Sequence, residues 1–124
     1  MFTCTLIFFF SSSSGMVTLI DVEIHTNKRR GLFVCGFETH LVGNNLNVHH
    51  NTFHGMDVVS GAMVELYGKG STFHHNGVNG VIIEFNSNVD IFLNEDHSTF
   101  HDNDSNDTIV EDGSTLRYVG HQEM

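Results

Sequence analysis

Apolar and polar residues alternate in short runs along nearly the whole chain, and Gly, Asn, Ser or Asp separate the runs. The runs from Val22 to His25 and from Leu46 to His49 show the period of two that is typical of a half-buried β-strand. The chain contains no stretch of about ten residues with the spacing of an amphipathic helix. The pattern therefore predicts an all-β protein made of short strands.

One motif recurs four times, and it consists of an apolar residue, a histidine, any residue and an asparagine. Successive copies are 24, 25 and 27 residues apart, and their histidines are His25, His49, His74 and His101. The asparagines are Asn27, Asn51, Asn76 and Asn103. Four residues after each asparagine come Gly31, Gly55, Gly80 and, in the last copy, Asp107. Self-similarity at a nearly fixed period of this length indicates a repeat architecture.

Each repeat contains three short runs rich in Val, Ile, Phe, Leu and Thr, so we expect a coil of three strands. Stacked coils form three parallel sheets around an apolar core, with equivalent residues of neighbouring coils ~4.8 Å apart. Asparagine at a corner tolerates left-handed backbone geometry and can bond the asparagine of the next coil. Glycine four residues later permits another tight bend. The four asparagines and the three glycines are therefore predicted to be structural.

The predicted fold is a right-handed parallel β-helix, or β-solenoid, over residues 16–124, with about four to five coils of 24–27 residues. In the third strand-like run of each coil, residues 36–43 align without a gap on residues 61–68. Residues 86–93 and 113–120 follow the same pattern more loosely.

The segments from Val22 to Val34, from Val64 to Glu84 and from Asn88 to Asn103 resemble the repeats of right-handed β-helix proteins of the pectin-lyase-like superfamily, in an uncharacterised repeat type. The resemblance covers about residues 17–120 and implies the fold. The superfamily includes polysaccharide lyases, galacturonan hydrolases, phage tailspikes and adhesins, so the resemblance selects no single function.

Residues 1–15 form a separate apolar and Ser-rich segment. Its apolar run is far shorter than the ~20 residues that span a bilayer, so we predict no transmembrane segment. The run lacks the positively charged start of a secretory signal, and a signal peptide, a first strand that caps the coils and a truncated chain start all stay open. A signal peptide would make the protein extracellular or place it at the cell surface, and the compartment is otherwise unknown. Cys4 and Cys35 fit neither a disulfide framework nor a zinc pattern, and both are expected to be unpaired.

The net charge of −10 is concentrated in residues 63–124, where eleven acids stand against Lys69 and Arg117. Nucleic-acid binding needs clustered Lys and Arg, so this balance argues against a nucleic-acid partner. The one basic run, from Lys28 to Arg30, is short and is expected to be a solvated turn.

Catalytic chemistry has little support in the sequence. For a lyase, the resemblance implies aspartates that hold calcium and a basic residue that removes a proton, but Arg117 has no evident aspartate cluster in register. Asp102, Asp104 and Asp107 lie on a single turn, where Asx turns explain them better than a hydrolase site. The EF-hand pattern that begins at Asp102 lacks its glycine and its closing glutamate. We therefore predict no catalytic residue, no metal site and no cofactor.

The four histidines are predicted to form a column on an outward face, beside four other outward residues, Glu23, Asn47, Thr72 and Thr99. A structural ladder, a surface for a polysaccharide or a partner protein, and a metal site are the three interpretations of this column. A metal ion needs ligands that converge on one point, whereas a ladder spreads its side chains along a line, so the metal site is disfavoured. The open ends of a short solenoid also favour self-stacking.

These patterns favour a non-catalytic repeat module, which serves as a structural scaffold or as a glycan-binding surface through those eight residues. The alternative is a fragment of a polysaccharide-active enzyme of the lyase or hydrolase type.

Overall fold

The computed structural model describes residues 2–4, 9–10, 15–67, 71–92 and 99–119, and up to residue 10 it describes the backbone alone. This part of the chain contains thirteen strands, which are its only regular elements. In chain order they are β1 (Phe2–Cys4), β2 (Phe9–Phe10), β3 (Gly15–His25), β4 (Leu32–Cys35), β5 (Thr39–His49), β6 (Met56–Val59), β7 (Met63–Tyr67), β8 (Thr72–His74), β9 (Asn79–Ile83), β10 (Asn88–Phe92), β11 (Phe100–His101), β12 (Asn106–Val110) and β13 (Thr115–Val119).

The strands stack coil upon coil, in parallel and in register, as a β-solenoid of about four turns. The long strands β3 and β5 pair from Gly15 opposite Thr39 to His25 opposite His49. β8 and β11 continue the second half of this face, while β4, β6, β9 and β12 stack as a separate face. The predicted all-β parallel solenoid is therefore confirmed.

The coils form two hydrogen-bonded sheets, of eight and five strands, and not the three sheets expected. In the first two coils the strand turns one corner without ending, because a single residue takes a left-handed conformation there. These residues are Asp21, with a φ of 56°, and Asn45, with a φ of 57°. Asn45 Nδ2 donates a hydrogen bond to Asp21 Oδ1 at 3.1 Å. Each coil keeps three faces, although two of them belong to one sheet.

The inward side chains form one apolar core along the stack. Behind the histidines lies the column Ile24, Val48, Phe73 and Phe100, whose members are at most 5% exposed. Full burial of one such side chain contributes about 1.5–3 kcal/mol. In the last described coil the inward-facing Val110 and Tyr118 are 43% and 41% exposed, so the core thins at that end.

One face departs from the gapless alignment of residues 36–43 on residues 61–68. Gly43 lies opposite Leu66, so this prediction is wrong by two residues. The alignment needs a connection before β7 that is one residue longer than the connection in the coil below, whereas the actual connection is one residue shorter. Because side chains alternate with a period of two, the shift leaves the inward and outward positions unchanged. β7, β10 and β13 then stack in the predicted register.

The backbone of the N-terminal segment joins the stack at β1, which pairs with β3, and at β2, which pairs with β4. Residues 5–8 and 11–14 lie outside the described residues, as does the side chain of Cys4. The signal peptide and the boundary at residue 15 stay predictions. Cys35 is half-buried and forms no disulfide. Within the described ranges, no helix has the length and apolarity needed to cross a membrane.

Candidate binding face

The histidine column, His25, His49, His74 and His101, stands on the outside of the solenoid as the sequence predicts. Neighbouring rings stack with centroids 5.2 Å apart, and their planes differ by no more than 12°. Parallel register brings the four rings together, because each histidine lies opposite the next on β3, β5, β8 and β11. Each residue of the column is partly buried, so one ring covers part of the next.

Three of the four predicted neighbours lie on this face and bond within it. Glu23 Oε2 accepts a hydrogen bond from His49 Nε2 at 2.6 Å, and Asn47 Oδ1 accepts one from His74 Nε2 at 3.0 Å. Thr72 Oγ1 donates to the same Asn47 oxygen at 3.3 Å. Thr99 is different, because it is only 1% exposed and its Oγ1 has no hydrogen-bond partner in the described structure. Its burial removes Thr99 from the accessible face, contrary to the prediction.

A second column, here called the flanking column, consists of the next residue in each coil: Thr26, His50, His75 and Asp102. All four have positive φ, between 53° and 62°, which turns each side chain back towards the preceding histidine. The Nδ1 atoms of the histidine column lie 2.6–2.9 Å from these side chains. The rings of His50 and His75 also stack on each other, with centroids 5.4 Å apart. The two columns therefore brace each other.

Behind them runs the asparagine ladder, Asn27, Asn51, Asn76 and Asn103. In each coil the backbone N–H and the side-chain amide both donate to Oδ1 of the next asparagine, at 2.8–3.1 Å. The predicted ladder is confirmed. The glycines four residues on are required by close packing, since a Cβ atom at Gly55 would lie 2.6 Å from the carbonyl oxygen of Gly80.

Asp107 ends the ladder. Its Oδ1 accepts hydrogen bonds from the backbone N–H and the side-chain amide of Asn103, both at 3.1 Å. It thereby supplies the acceptor that the next asparagine supplies in the other coils. This contact confirms that the acidic turn satisfies its own backbone, as the sequence predicts for this segment.

The electrostatics of the face follow from its burial and its hydrogen bonds. Burial, followed by the charges that His49 and His101 would carry, lowers the pKa of His74 to about 4. The hydrogen bond from His49 lowers the pKa of the Glu23 carboxyl, and the hydrogen bond from His101 lowers that of Asp102. Near neutral pH the face thus combines a neutral central imidazole with ionised carboxylates at its edges.

The stacked geometry does not suit a shared metal ion. Two imidazole nitrogens bound to one zinc each lie about 2.1 Å from it, and so at most about 4.2 Å apart. Rings stacked at 5.2 Å keep their equivalent nitrogens farther apart than that. In the part of the chain that the structure describes, no three His, Cys, Asp or Glu side chains are arranged to hold a metal ion.

A shallow concavity lies beside the flanking column. Its lining residues are His50, Asn51, His75, Asn76, Gly77, Asp102, Asn103 and Asp104. It gives the face a recessed surface next to the stacked rings.

A second polar face carries an ionic column that the sequence did not reveal, formed by Glu65, Asp90 and Arg117 on β7, β10 and β13. Arg117 donates two hydrogen bonds to the nearly buried Asp90 carboxylate, Nε at 3.0 Å and Nη2 at 2.9 Å. Arg117 therefore has one aspartate and one glutamate in register on the neighbouring strands, although not a cluster of aspartates. The signal was present, because each of the three residues lies two positions after the start of its strand.

The basic run is also only in part a solvated turn. Lys28 and Arg29 are exposed, but Arg30 donates from Nε to Asp57 Oδ2 at 2.8 Å. The Arg30 guanidinium also lies 4.5 Å from the centre of the Phe33 ring. This arginine therefore neutralises a buried aspartate, and it is not available as a free cationic surface.

Comparison with known proteins finds no family model, no curated protein and no solved structure that matches this chain. The parallel solenoid consequently follows from the structure, while the resemblance to the pectin-lyase-like superfamily stays a prediction.

Proposed function

We propose that the protein is a non-catalytic solenoid module whose histidine face binds a polysaccharide, so that it serves as a structural or surface scaffold. The observation that supports this best is the mutual bonding of the outward side chains. His49 and His74 each have both ring nitrogens bonded to residues of the same face. The face is therefore held in one arrangement that repeats from coil to coil.

A polysaccharide fits such a face because it also repeats. The outward edges of the imidazole rings, the amides and the hydroxyls offer polar contacts at the spacing of the coils. Side chains that are already fixed lose little conformational freedom on binding, which favours affinity. A protein partner is the alternative occupant. Self-stacking is disfavoured at this corner, because Asp107 already occupies the donors of Asn103.

The proposal includes a right-handed coil of the pectin-lyase-like kind. Parallel coils and an internal asparagine ladder support that relationship without requiring an enzymatic role.

The test is a thermal melt of the purified chain, followed by circular dichroism, with and without a panel of neutral, amino and acidic polysaccharides. A ligand that binds only the folded state at 100 times its Kd adds about 2.7 kcal/mol of stability. We expect one class to raise the midpoint and a His49→Ala variant to reduce that rise. A panel in which no polysaccharide changes the midpoint would contradict the proposal.

A polysaccharide-active enzyme is the second candidate, and the ionic column is the observation that favours it. Glu65, Asp90 and Arg117 place two acids and a base on neighbouring strands of one face. If this column is catalytic, the purified chain should release reducing ends or unsaturated products from a polyuronate, and Asp90→Asn should abolish the release. Equal release by the wild type and this variant would assign the activity to a contaminant.

A further inference from the structure

The flanking column exposes two imidazoles whose outer nitrogens have no hydrogen-bond partner among the described residues. His50 and His75 are both exposed, and their stacked planes differ by 5°. Each uses Nδ1 to contact the histidine before it, at 2.6 Å for His50 and 2.8 Å for His75. The Nε2 atom of each ring is left for a ligand.

Hydrogen bonding determines which nitrogen of His75 carries the proton. Asn47 Oδ1 can only accept, so His74 Nε2, 3.0 Å away, carries the hydrogen. In the neutral ring of His74, Nδ1 is then an acceptor. His75 Nδ1 must donate to it, so in a neutral ring His75 Nε2 carries a lone pair and no hydrogen.

The coil below repeats this arrangement with a carboxylate in place of the amide. Glu23 Oε2 accepts from His49 Nε2, so in neutral rings His49 Nδ1 accepts from His50 Nδ1. His50 Nε2 is then a bare acceptor as well. Burial lowers the pKa of His50, which favours the neutral ring.

The other exposed side chains around the concavity are also acceptors. The carboxylates of Asp102 and Asp104 line it, and both residues are exposed. The amide groups of Asn76 and Asn103 donate within the coil stack. A ligand must therefore bring hydrogen-bond donors. A polyanion brings more acceptors and is repelled by the aspartates and by the net charge of −10.

We propose that His50 and His75 are a specificity-determining pair that binds the hydroxyl groups of a neutral saccharide chain lying along the stack. The inference rests on the proposed function, because it names the site and the ligand class of the same face. The two acceptors repeat with the 5.4 Å spacing of their rings, which is comparable to the length of one sugar unit. Acidic polysaccharides are poor ligands of this pair.

The first test needs no ligand. Long-range proton–nitrogen correlation NMR at pH 7.5 reports which ring nitrogen of each histidine is protonated. We expect the hydrogen on Nδ1 in His50 and His75 and on Nε2 in His49 and His74. A hydrogen on Nε2 of His75 would overturn the proposal, whatever the protein binds.

The second test is calorimetric titration with neutral hexasaccharides of glucose, mannose, galactose and xylose, and with hexagalacturonate. A double variant, His50→Phe with His75→Phe, keeps two aromatic rings and removes the nitrogens. Phe85, with a φ of 57°, shows that phenylalanine occupies a left-handed corner position in this solenoid. The control is Phe85→Ala, at that exposed corner position, which is neither in the histidine face nor in the concavity. Thermal melts verify that both variants are folded.

We expect at least one neutral hexasaccharide to bind more tightly than hexagalacturonate, and the double variant to lose affinity by about tenfold, since two hydrogen bonds are removed. The control should keep wild-type affinity. If a saccharide binds equally well to the double variant, or if the control loses as much affinity, the inference fails while the proposed function stands. If no saccharide of either kind binds, both fail.

Discussion

The two corners on either side of the histidine strands differ in how strictly the chain keeps their length. At the asparagine corner, three residues separate the asparagine from the glycine or from Asp107 in every coil. At the opposite corner, two residues separate the aligned positions Asn44 and Asn47, but four separate Tyr67 from Thr72. The first corner is fixed in length and the second is variable.

Side-chain bonding explains the difference. Each interior asparagine of the ladder both donates to the next coil and accepts from the previous one, so an insertion would break contacts in two directions. At the opposite corner the bonding groups change from coil to coil, since Asn45 donates to Asp21 Oδ1 while the backbone N–H of Leu46 donates to Ser71 Oγ, both at 3.1 Å. A repeat is therefore kept regular where the same buried side chain bonds to its equivalent in every coil, and its length varies where the bonding residue changes.

The largest expected effect breaks the ladder itself. Asn76→Leu removes an amide that accepts from Asn51 and donates to Asn103, and it leaves buried donors and acceptors without partners. Each such group destabilises by about 1–3 kcal/mol, so we expect a loss of about 3–5 kcal/mol in the free energy of unfolding. Urea unfolding followed by circular dichroism measures it.

The matched comparison is His74→Ala, on the outside of the same strand. We expect a loss of about 1 kcal/mol, since a partly exposed ring loses its stacking and one or two net hydrogen bonds. If Asn76→Leu and His74→Ala lost equal stability, the asparagine ladder would not be the buried column and the histidine column would not be the outer one.

The glycine column gives the next effect in size. A Cβ atom in Gly55→Ala would lie 2.6 Å from the carbonyl oxygen of Gly80 and 2.8 Å from the amide nitrogen of Asn76. The backbone of Gly80 lies inside the stack and cannot move away without disturbing its neighbours. Overpacking of this kind destabilises by about 1–3 kcal/mol. The melting midpoint should fall clearly. An unchanged midpoint would mean that neighbouring coils are farther apart at this corner than the structure has them.

The fold was predictable because the corner of fixed length is marked by the same residue in every repeat of the sequence. Asn27, Asn51 and Asn76 mark one corner at intervals of 24 and 25 residues, and the histidines follow the same intervals. The ionic column was missed although its register was predicted, because Glu65, Asp90 and Arg117 are three different residue types and form no repeated motif. The hydrogen bond between His49 and His50 depends on the positive φ of His50, and a histidine in a sequence does not indicate a positive φ.

A smaller effect tests the end of the ladder. Asp107→Ala removes the acceptor for two donors of Asn103, and we expect a loss of about 1–2 kcal/mol, as for a lost helix cap. Asp107→Asn keeps the Oδ1 acceptor and should recover most of that stability. If both variants lose the same free energy of unfolding, Asp107 stabilises the protein through its charge and not through its acceptor oxygen.

The smallest expected effect concerns pH and separates the histidine column from the rest of the face. The pKa of His74 is about 4 in the folded protein against 6.5 as the ordinary value, so between these values the unfolded chain binds more protons than the folded one. The contribution of His74 is therefore complete above pH 6.5 and is lost as the pH falls towards 4. Glu84 acts in the opposite direction, because burial raises the pKa of its carboxyl.

A comparison of variants isolates the histidine from these other groups. His74→Phe keeps a stacking ring that cannot be protonated, so its urea midpoint should fall less steeply between pH 7 and pH 4.5 than that of the wild type. The rings of His25, His49, His50, His75 and His101 and the carboxylates of Glu23 and Asp102 remain in both proteins and cancel to first order. The same variant at the exposed flanking position, His75→Phe, is the control. If His74→Phe and the wild type lose stability in parallel, the column does not sense acid, and the acid response belongs to the carboxylates of the face.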